Sequence, residues 1–161
     1  MTNGENILSD NNSTSGRLTL RKGEKLRHRS LVEGLFKEGH TIYEFPLRLT
    51  WRKLDGDQLD ENFRDHVPER IDSLQMLITV PKKKRRHAVD RVLMRRRIRE
   101  AYRLNRLPLK EAIEADPGIR TLGMALIYLH DKNLPYSTIE SKMRLLLKKL
   151  STKISHEQTC L

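Results

Sequence analysis

The chain has few of the residues on which several classes of protein depend. Its 161 residues include one cysteine, Cys160, so an intrachain disulfide framework and a zinc site built from several cysteines are excluded. No apolar run approaches the roughly 18 to 20 residues that a membrane-spanning helix needs. The N-terminal residues lack the basic and apolar segments of a secretory signal, and we therefore expect a cytoplasmic protein.

Acidic residues are also scarce relative to basic ones. The chain holds 32 Lys and Arg against 21 Asp and Glu, a formal net charge of +11, and its hydrophobic content of 37% suffices for one core. A chain of this length has room for one ordinary domain. The surplus of positive charge favours a polyanionic partner, with nucleic acid ahead of a membrane surface.

The positive charge is concentrated in one segment. Residues 82–106 contain twelve basic residues against two acidic ones, a net charge of +10, whereas residues 55–73 contain seven acidic residues against two basic ones. Concentrated charge of this kind is typical of a surface that binds a phosphate backbone. Two alternatives remain open: the basic run forms a solvated tail, or its arginines pair with the acidic segment.

The spacing of apolar residues predicts the order helix, strand, strand, helix, strand, helix. This mixture favours an α+β fold, a two-layer sandwich with the helices to one side of the sheet. Ser30, with Glu33 three residues later, is the expected N-cap of the first helix, and Gly39 is expected to end it. The predicted strands cover 46–53, 74–80 and 122–129, and the predicted helices cover 31–38, 88–105 and the residues after Ser137 or Thr138. Pro108 either breaks the second helix or starts another over 109–115.

The composition also predicts where the folded domain begins and ends. Residues 1–16 are rich in Asn, Ser, Thr and Gly, and we expect them to form a disordered tail. Residues 17–152 are expected to form a single RNA-binding domain with an acidic loop at 55–73. Residues 153–161 are expected to form a C-terminal tail.

Two stripes run along the helix predicted over 88–105. The apolar stripe consists of Met94, Ile98, Ala101 and Asn105, flanked by Tyr102 and Leu104. The arginine stripe consists of Arg95, Arg96, Arg99, Arg103 and Arg106. A planar guanidinium binds phosphate through two parallel hydrogen bonds, so the arginine stripe predicts a surface that faces RNA.

The run AVDRVLMRRRIREAYRLNR, preceded by the strand LQMLITVPKKKRR, resembles the signature region of the bacterial ribonuclease P protein subunit. Upstream, LVEGLFKEGH is similar to the short first helix of that family and FPLRLTW to its first strand. The resemblance implies an α+β sandwich with a left-handed βαβ crossover, like one domain of certain ribosomal proteins, against the usual right-handed rule. The residues that fit the signature are Ala88, Val89, Arg91, Arg95, Arg96, Arg99, Glu100, Ala101, Tyr102 and Arg103.

The resemblance implies a protein without an active site of its own. In this family the RNA subunit carries out Mg²⁺-dependent hydrolysis at the 5′ end of precursor tRNA, so we expect no catalytic residue and no metal or cofactor bound by the protein alone. The implied partners are the ribonuclease P RNA and precursor tRNA, without a membrane or an obligate protein partner. The implied RNA-binding residues are Lys82, Lys83, Lys84, Arg85, Arg86, Arg91, Arg95, Arg96, Arg97, Arg99, Arg103 and Arg106.

In this family a cleft between the first helix and the sheet holds the single-stranded 5′ leader. The cleft residues implied for this chain are Val32, Phe36, Arg48 and Thr50. An aromatic ring at position 36 suits stacking on an unpaired base, and an anchor in the core is the open alternative. Trp51 shares a strand face with Leu47 and Leu49, which favours a core position for it.

The chain departs from the family signature at four positions. Val92 stands where the family usually has Asn, and Pro81 where it usually has Ser. Leu93 and Arg97 look exchanged, because the family usually has Arg at the first of these positions and Leu at the second. Because Leu93 and Arg97 are four residues apart and share a helix face, we hypothesise that Arg97 restores the charge lost at position 93.

Two other functional classes fit less of the sequence. A ribosomal or other structural RNA-binding protein, with no role in cleavage, shares the basic helix. An enzyme that acts alone needs a nucleophile or a metal site, and His130 and Asp131, which follow a predicted buried strand, have neither beside them. The six histidines are dispersed without metal-ligand spacing.

Overall fold

The backbone forms a mixed sheet with helices in a computed structural model that describes residues 19–63 and 71–159. A short 3-10 turn at Lys22–Glu24 precedes the first helix. The helices are α1 (Arg29–Glu38), α2 (Gly56–Asn62), α3 (Ala88–Asn105), α4 (Leu107–Glu114) and α5 (Tyr136–Thr159). The strands are β1 (His40–Glu44), β2 (Leu47–Leu54), β3 (Leu74–Thr79) and β4 (Thr121–Tyr128).

The four strands lie in the order β1-β2-β4-β3. β1 with β2 and β2 with β4 are antiparallel, whereas β3 and β4 are parallel. A parallel pair of neighbours requires a crossover connection, which α3 and α4 supply. This arrangement confirms the predicted α+β fold. The left-handed sense of the crossover stays a prediction.

The main core lies between one face of the sheet and the helices α3 and α5. Trp51 on β2 is 1% exposed and packs in this core, which confirms the interpretation made from its strand face. The apolar stripe of α3 is buried at Met94, Ile98, Ala101 and Tyr102. Leu104 was expected to flank the stripe, but its side chain is exposed.

A second, smaller core covers the opposite face of the sheet. Leu31 and Leu35 of α1 pack there with Leu54 of β2, Leu59 of α2 and Ala125 of β4. Side chains alternate between the two faces of a strand, so these positions on β2 and β4 point away from the main core. The sheet therefore has helices on both faces, whereas the sequence analysis placed them on one side.

The sequence analysis missed one strand and one helix. β1 is a five-residue edge strand in which only Ile42 is buried, so no run of alternating apolar residues announces it. α2 lies inside the segment predicted as an acidic loop. Its N-cap is Asp55, whose side chain accepts the Gln58 N–H at 2.8 Å, while the Gln58 side chain accepts the Asp55 N–H at 3.1 Å. Residues 64–70 of that predicted loop lie outside the described residues.

The ends of two helices differ from those predicted. α1 begins at Arg29, so Ser30 lies within the helix, and Glu33 accepts a hydrogen bond from Arg29 Nε at 2.7 Å. α5 continues to Thr159 through most of the predicted C-terminal tail, because Ile154 is buried in the main core. The predicted N-terminal tail, residues 1–16, lies outside the described residues.

Gly39 ends α1 for a steric reason. Its φ is −73°, which any residue can adopt, so a left-handed conformation is not what requires glycine here. A Cβ at this position would lie 2.2 Å from the Leu35 carbonyl oxygen and 3.1 Å from the Trp51 carbonyl oxygen. Glycine therefore allows the end of α1 to lie directly against β2.

Candidate nucleic-acid interface

Half of the basic residues predicted to bind RNA have exposed side chains. They lie in the turn after β3 and on the outer surface of α3, and they are Lys82, Lys83, Lys84, Arg86, Arg96 and Arg99. Arg95 is partly buried beside them. We call the six exposed residues together with Arg95 the basic surface. Its residues lie in a hydrogen-bonded turn and a regular helix, so the alternative of a disordered tail is wrong.

Arg85 and Arg91 instead fix the entry into α3. Arg85 Nη2 lies 3.0 Å from Asp90 Oδ2, and Arg91 Nη1 donates to the carbonyl oxygens of Arg85 and Arg86 at 3.0 and 2.7 Å. A hydrogen bond from Asn133, together with the charge of Arg85, holds the pKa of Asp90 below its ordinary value. The basic turn is therefore attached firmly to the start of the helix.

Arg97 and Arg103 also bind within the protein. Arg97 donates to the carbonyl oxygen of Leu134, in the loop between β4 and α5. Arg103 makes a two-bond pair with Glu100, at 2.9 and 2.6 Å, which lowers the pKa of Glu100. Both arginines are partly buried, so they extend less freely from the helix than Arg96 and Arg99.

Arg106 does not lie on the basic surface. Its side chain is 1% exposed, and its Nε donates to Glu24 Oε1 at 2.9 Å. Nη1 and Nη2 donate further to the carbonyl oxygens of Arg103 and Thr19, at 2.7 and 3.2 Å. The helical projection assigned Arg106 to the arginine stripe, but α3 ends at Asn105 and the chain turns inward there.

The acidic α2 does not neutralise the basic surface. The described acidic residues of the 55–73 segment are Asp55, Asp57, Asp60, Glu61 and Asp72, and none of them forms an ion pair with α3. Asp65 and Glu69 lie outside the described residues. The alternative that the acidic segment pairs with the arginines therefore finds no support in the part of the chain that the structure describes.

Val92 interrupts the basic surface with an apolar side chain. It is 37% exposed and lies one turn before Arg96 and two turns before Arg99. Leu93, beside it, is partly buried. The two replacements noted in the sequence thus place one apolar side chain in solvent among the arginines.

The predicted leader cleft lies between α1 and the sheet face opposite the main core. Phe36 is 49% exposed, which excludes the alternative that it anchors the core, whereas Val32 packs partly on the second core. Thr50 is buried on the same face of β2, with its hydroxyl 3.4 Å from the Thr41 hydroxyl. Arg48 is partly buried, and its Nε is buried without a hydrogen-bond partner.

Three residues with prominent roles escaped the sequence analysis. Glu24 supplies the buried counter-charge of Arg106, and 82 residues separate the two. Tyr43 and Phe45 are each 60% exposed at the end of β1, which was not predicted as a strand. For Phe45, the available signal was its place directly before Pro46, a residue that favours turns.

Other chemistry is weakly supported by the geometry. His130 Nδ1 lies 3.0 Å from Asp131 Oδ1, but the same nitrogen accepts the Lys132 N–H at 2.9 Å. Within residues 19–63 and 71–159, no group of three or more His, Cys, Asp or Glu side chains is arranged to hold a metal ion. No helix among those residues is both long and apolar enough to span a membrane.

Comparison with known sequences points to one family. The model of the family described as Ribonuclease P matches residues 20–151. The ribonuclease P protein component of Porphyromonas gingivalis W83 is 30% identical over 125 residues, which cover 78% of this chain and 81% of that protein. The component from Chlorobium phaeobacteroides is 36% identical over 85 residues, which cover 53% of this chain and 52% of that protein.

Solved structures agree on the fold. The Staphylococcus aureus RNase P protein superposes with a TM-score of 0.54 at 18% identity, over 79% of this chain and 94% of that one. The RNase P protein from Thermotoga maritima superposes with a TM-score of 0.53 at 22% identity, over 78% of this chain and 96% of that one. With the sequence match over most of its length, the chain belongs to the family of bacterial ribonuclease P protein components.

Proposed function

We propose that this ribonuclease P protein component binds the catalytic RNA through the basic surface and holds the 5′ leader of precursor tRNA in the cleft beside α1. By doing so it supports the endonucleolytic removal of the leader that produces the mature 5′ end of tRNA. The observation that carries the proposal is the cluster of exposed cations on α3 and its preceding turn, in a chain that matches the family over residues 20–151.

The basic surface suits a folded RNA. Its exposed guanidinium groups, on Arg86, Arg96 and Arg99, make no hydrogen bond or ion pair within the described part of the chain, and arginine binds phosphate oxygens in pairs. The lysines of the adjoining turn add charge that attracts the backbone without sequence preference. Counter-charges for such a surface are most simply supplied by the phosphates of the RNA subunit.

The cleft suits a single strand. Phe36 offers an exposed ring, and aromatic rings stack on unpaired bases whatever their sequence. Arg48, with a buried and unpartnered Nε on the same face, supplies a cation for the backbone of such a strand. A double helix has no unstacked base to offer to the ring, so the arrangement favours the leader over the tRNA stem.

Catalysis is assigned to the RNA subunit. Mg²⁺ bound by the RNA would supply the activated water for hydrolysis, and the described residues of the chain offer no comparable metal cluster. The role left to this protein is to bind, to position the leader and to lower the repulsion between two polyanions.

Leader recognition can be tested by comparing two substrates. The affinity of the catalytic RNA is measured for precursor tRNA and for mature tRNA, with and without the chain. We expect the chain to raise affinity for the precursor selectively, and Phe36→Ala to reduce that gain about fivefold, the lower end of base-aromatic stacking. Leu145→Ala is the matched control, because Leu145 is exposed to a similar degree, 44% against 49%, on α5.

Equal effects of the chain on both substrates would contradict the leader assignment. They would favour the alternative function, a structural RNA-binding protein with no role in cleavage.

A further inference from the structure

We propose that the turn between β1 and β2 and the loop between β4 and α5 form a stacking site for an unpaired RNA nucleotide, separate from the cleft beside α1. The inference rests on the proposed function, because it takes RNA to be the ligand of the neighbouring basic surface. The proposed site is a pair of aromatic rings, Phe45 and His130, that we call the ring platform.

The two rings lie side by side at the protein surface. Their centroids are 5.3 Å apart and their planes are inclined by 43°. Phe45 is 60% exposed, so the face of its ring is accessible to a ligand. Stacking of a base on an exposed ring would remove this surface from water and is tolerant of base identity.

The loop that carries His130 is held firmly against the turn that carries Phe45. Leu129 N–H donates to the carbonyl oxygen of Pro46 at 2.8 Å. Leu129 directly precedes His130 and Pro46 directly follows Phe45, so this bond joins the two ring-bearing segments. Nδ1 of His130 accepts the N–H of Lys132 at 2.9 Å, which fixes the ring against its own loop. The platform is therefore formed before any ligand binds, and binding need not order it.

Residues of α3 and its entry fix the other side of the same loop. Arg85 donates to the carbonyl oxygen of Asp131, and Arg97 donates to that of Leu134. Asn133 Nδ2 donates to Asp90 Oδ1 at 2.8 Å. Two arginines that the sequence assigned to RNA thus connect the ring platform to the basic surface, and they act as positioning residues for it.

The charge around the platform suits a phosphate backbone. Arg85 joins the platform to the turn that bears Lys82, Lys83 and Lys84, all of them exposed, and Lys132 is exposed on the loop itself. The nearby Glu44 is already paired with Lys142 and Lys149, at 3.3 and 2.6 Å. The acidic group left in the open is Asp131, whose side chain lies against His130.

An exposed Phe45 ring, with exposed lysines on the same loop and on the turn that Arg85 joins to it, favours an unpaired nucleotide over an apolar protein surface. Lysine and phenylalanine together satisfy the two parts of a nucleotide, the phosphate and the base. The nucleotide could come from the precursor tRNA leader or from the RNA subunit, and the experiment must separate these sources.

The test places a photoreactive amino acid at position 45 of the full chain and reconstitutes it with the RNA subunit and precursor tRNA, each carrying a different label. We expect a crosslink to an unpaired nucleotide, and the label identifies the source. The same group at position 111, exposed on α4, is the control and should give little crosslink. A crosslink to a second copy of the chain alone, or none, would overturn the proposal.

A second measurement does not depend on the photoreactive group. Phe45→Ala should weaken binding of the RNA that crosslinks by about fivefold, and Phe45→Trp should retain it, because a ring remains for stacking. The wild-type complex could stimulate cleavage while wild type and Phe45→Ala bind this RNA equally well. That result would refute the ring platform and leave the proposed function standing. A wild-type chain that binds neither RNA would overturn the proposed function as well.

Discussion

Glu24 and Arg106 form a buried ion pair that joins the N-terminal segment to the end of α3. Arg106 Nε donates to Glu24 Oε1 at 2.9 Å, and each side chain is 1% exposed. Glu24 Oε2 also accepts the Arg21 N–H at 2.8 Å, and the Glu24 N–H donates to the Arg21 carbonyl oxygen at 3.2 Å across the 3-10 turn. Lys110 Nζ adds a more distant cation, 3.8 Å from Glu24 Oε1. Because the charges of Glu24 and Arg106 are out of water, each depends on these partners for its solvation.

Removing one member of this pair should destabilise the protein strongly. Arg106→Ala leaves the buried Glu24 carboxylate with the Arg21 N–H and the more distant Lys110 Nζ, which is 3.8 Å from Oε1. We therefore expect the free energy of unfolding to fall by about 3 kcal/mol, the lower end of the range for a broken buried pair. Arg99→Ala, at an exposed position of the same helix, should change it by less than about 0.5 kcal/mol. Urea unfolding followed by circular dichroism measures both. Similar small losses for the two variants would show that the pair contributes little.

The pair should also make stability depend on acid pH. Burial alone raises the pKa of Glu24, but hydrogen bonds from Arg106 and from the Arg21 N–H outweigh it and bring the pKa below the ordinary value of 4.5. A lowered pKa in the folded state stabilises the protein above the unfolded pKa, and this contribution is lost as pH falls through the folded one.

The matching variant for the pH experiment is Glu24→Gln. The difference in unfolding free energy between wild type and this variant should be largest above pH 4.5 and shrink as the pH falls below it. Other carboxylates titrate in both proteins, so the difference isolates Glu24. A difference that stays constant into strong acid would contradict the assigned direction of the pKa.

Contacts of the basic surface to phosphate should appear in the salt dependence of binding. For each of Arg96→Ala and Arg99→Ala, we expect weaker binding to the RNA subunit and a slope of log affinity against log salt that is smaller by about one. Lys148→Ala, which removes an exposed cation from α5, is the control and should leave the slope unchanged. Equal changes in all three variants would indicate nonspecific attraction rather than a placed interface.

The geometry of Arg97 changes what we expect of the exchange between positions 93 and 97. Because Arg97 binds the Leu134 carbonyl oxygen, its loss should loosen the loop between β4 and α5. Adding Leu93→Arg to Arg97→Ala should therefore fail to restore affinity for the RNA subunit, since the loop contact is still missing. Restored affinity in the double variant would support the exchange hypothesis and contradict the positioning role.

The long periodic elements could be predicted from sequence, and the short ones could not. α3 carries its apolar residues at helical spacing over 18 residues, and β4 is buried at every position, so each stands out locally. β1 buries one residue of five, because it lies at the edge of the sheet. Nothing in so short a pattern separates it from a loop.

The candidate site shows the same limit at the level of side chains. Charge density identified the segment that carries the basic surface, and Arg96 and Arg99 are exposed there. It could not separate them from Arg106, whose partner Glu24 is 82 residues away in sequence. The Arg106 side chain points inward because it pairs with that distant carboxylate. Helical periodicity carries no information about such a contact.

Reconstituted cleavage tests the central claim most directly. The purified chain is added to the catalytic RNA and a precursor tRNA at a low Mg²⁺ concentration, at which the RNA alone cleaves slowly. We expect the chain to stimulate cleavage at the 5′ end of the tRNA, and to do nothing to the precursor without the RNA. Unchanged cleavage in the presence of the chain, or cleavage by the chain alone, would contradict its assignment as the RNA-binding subunit that supports the ribozyme.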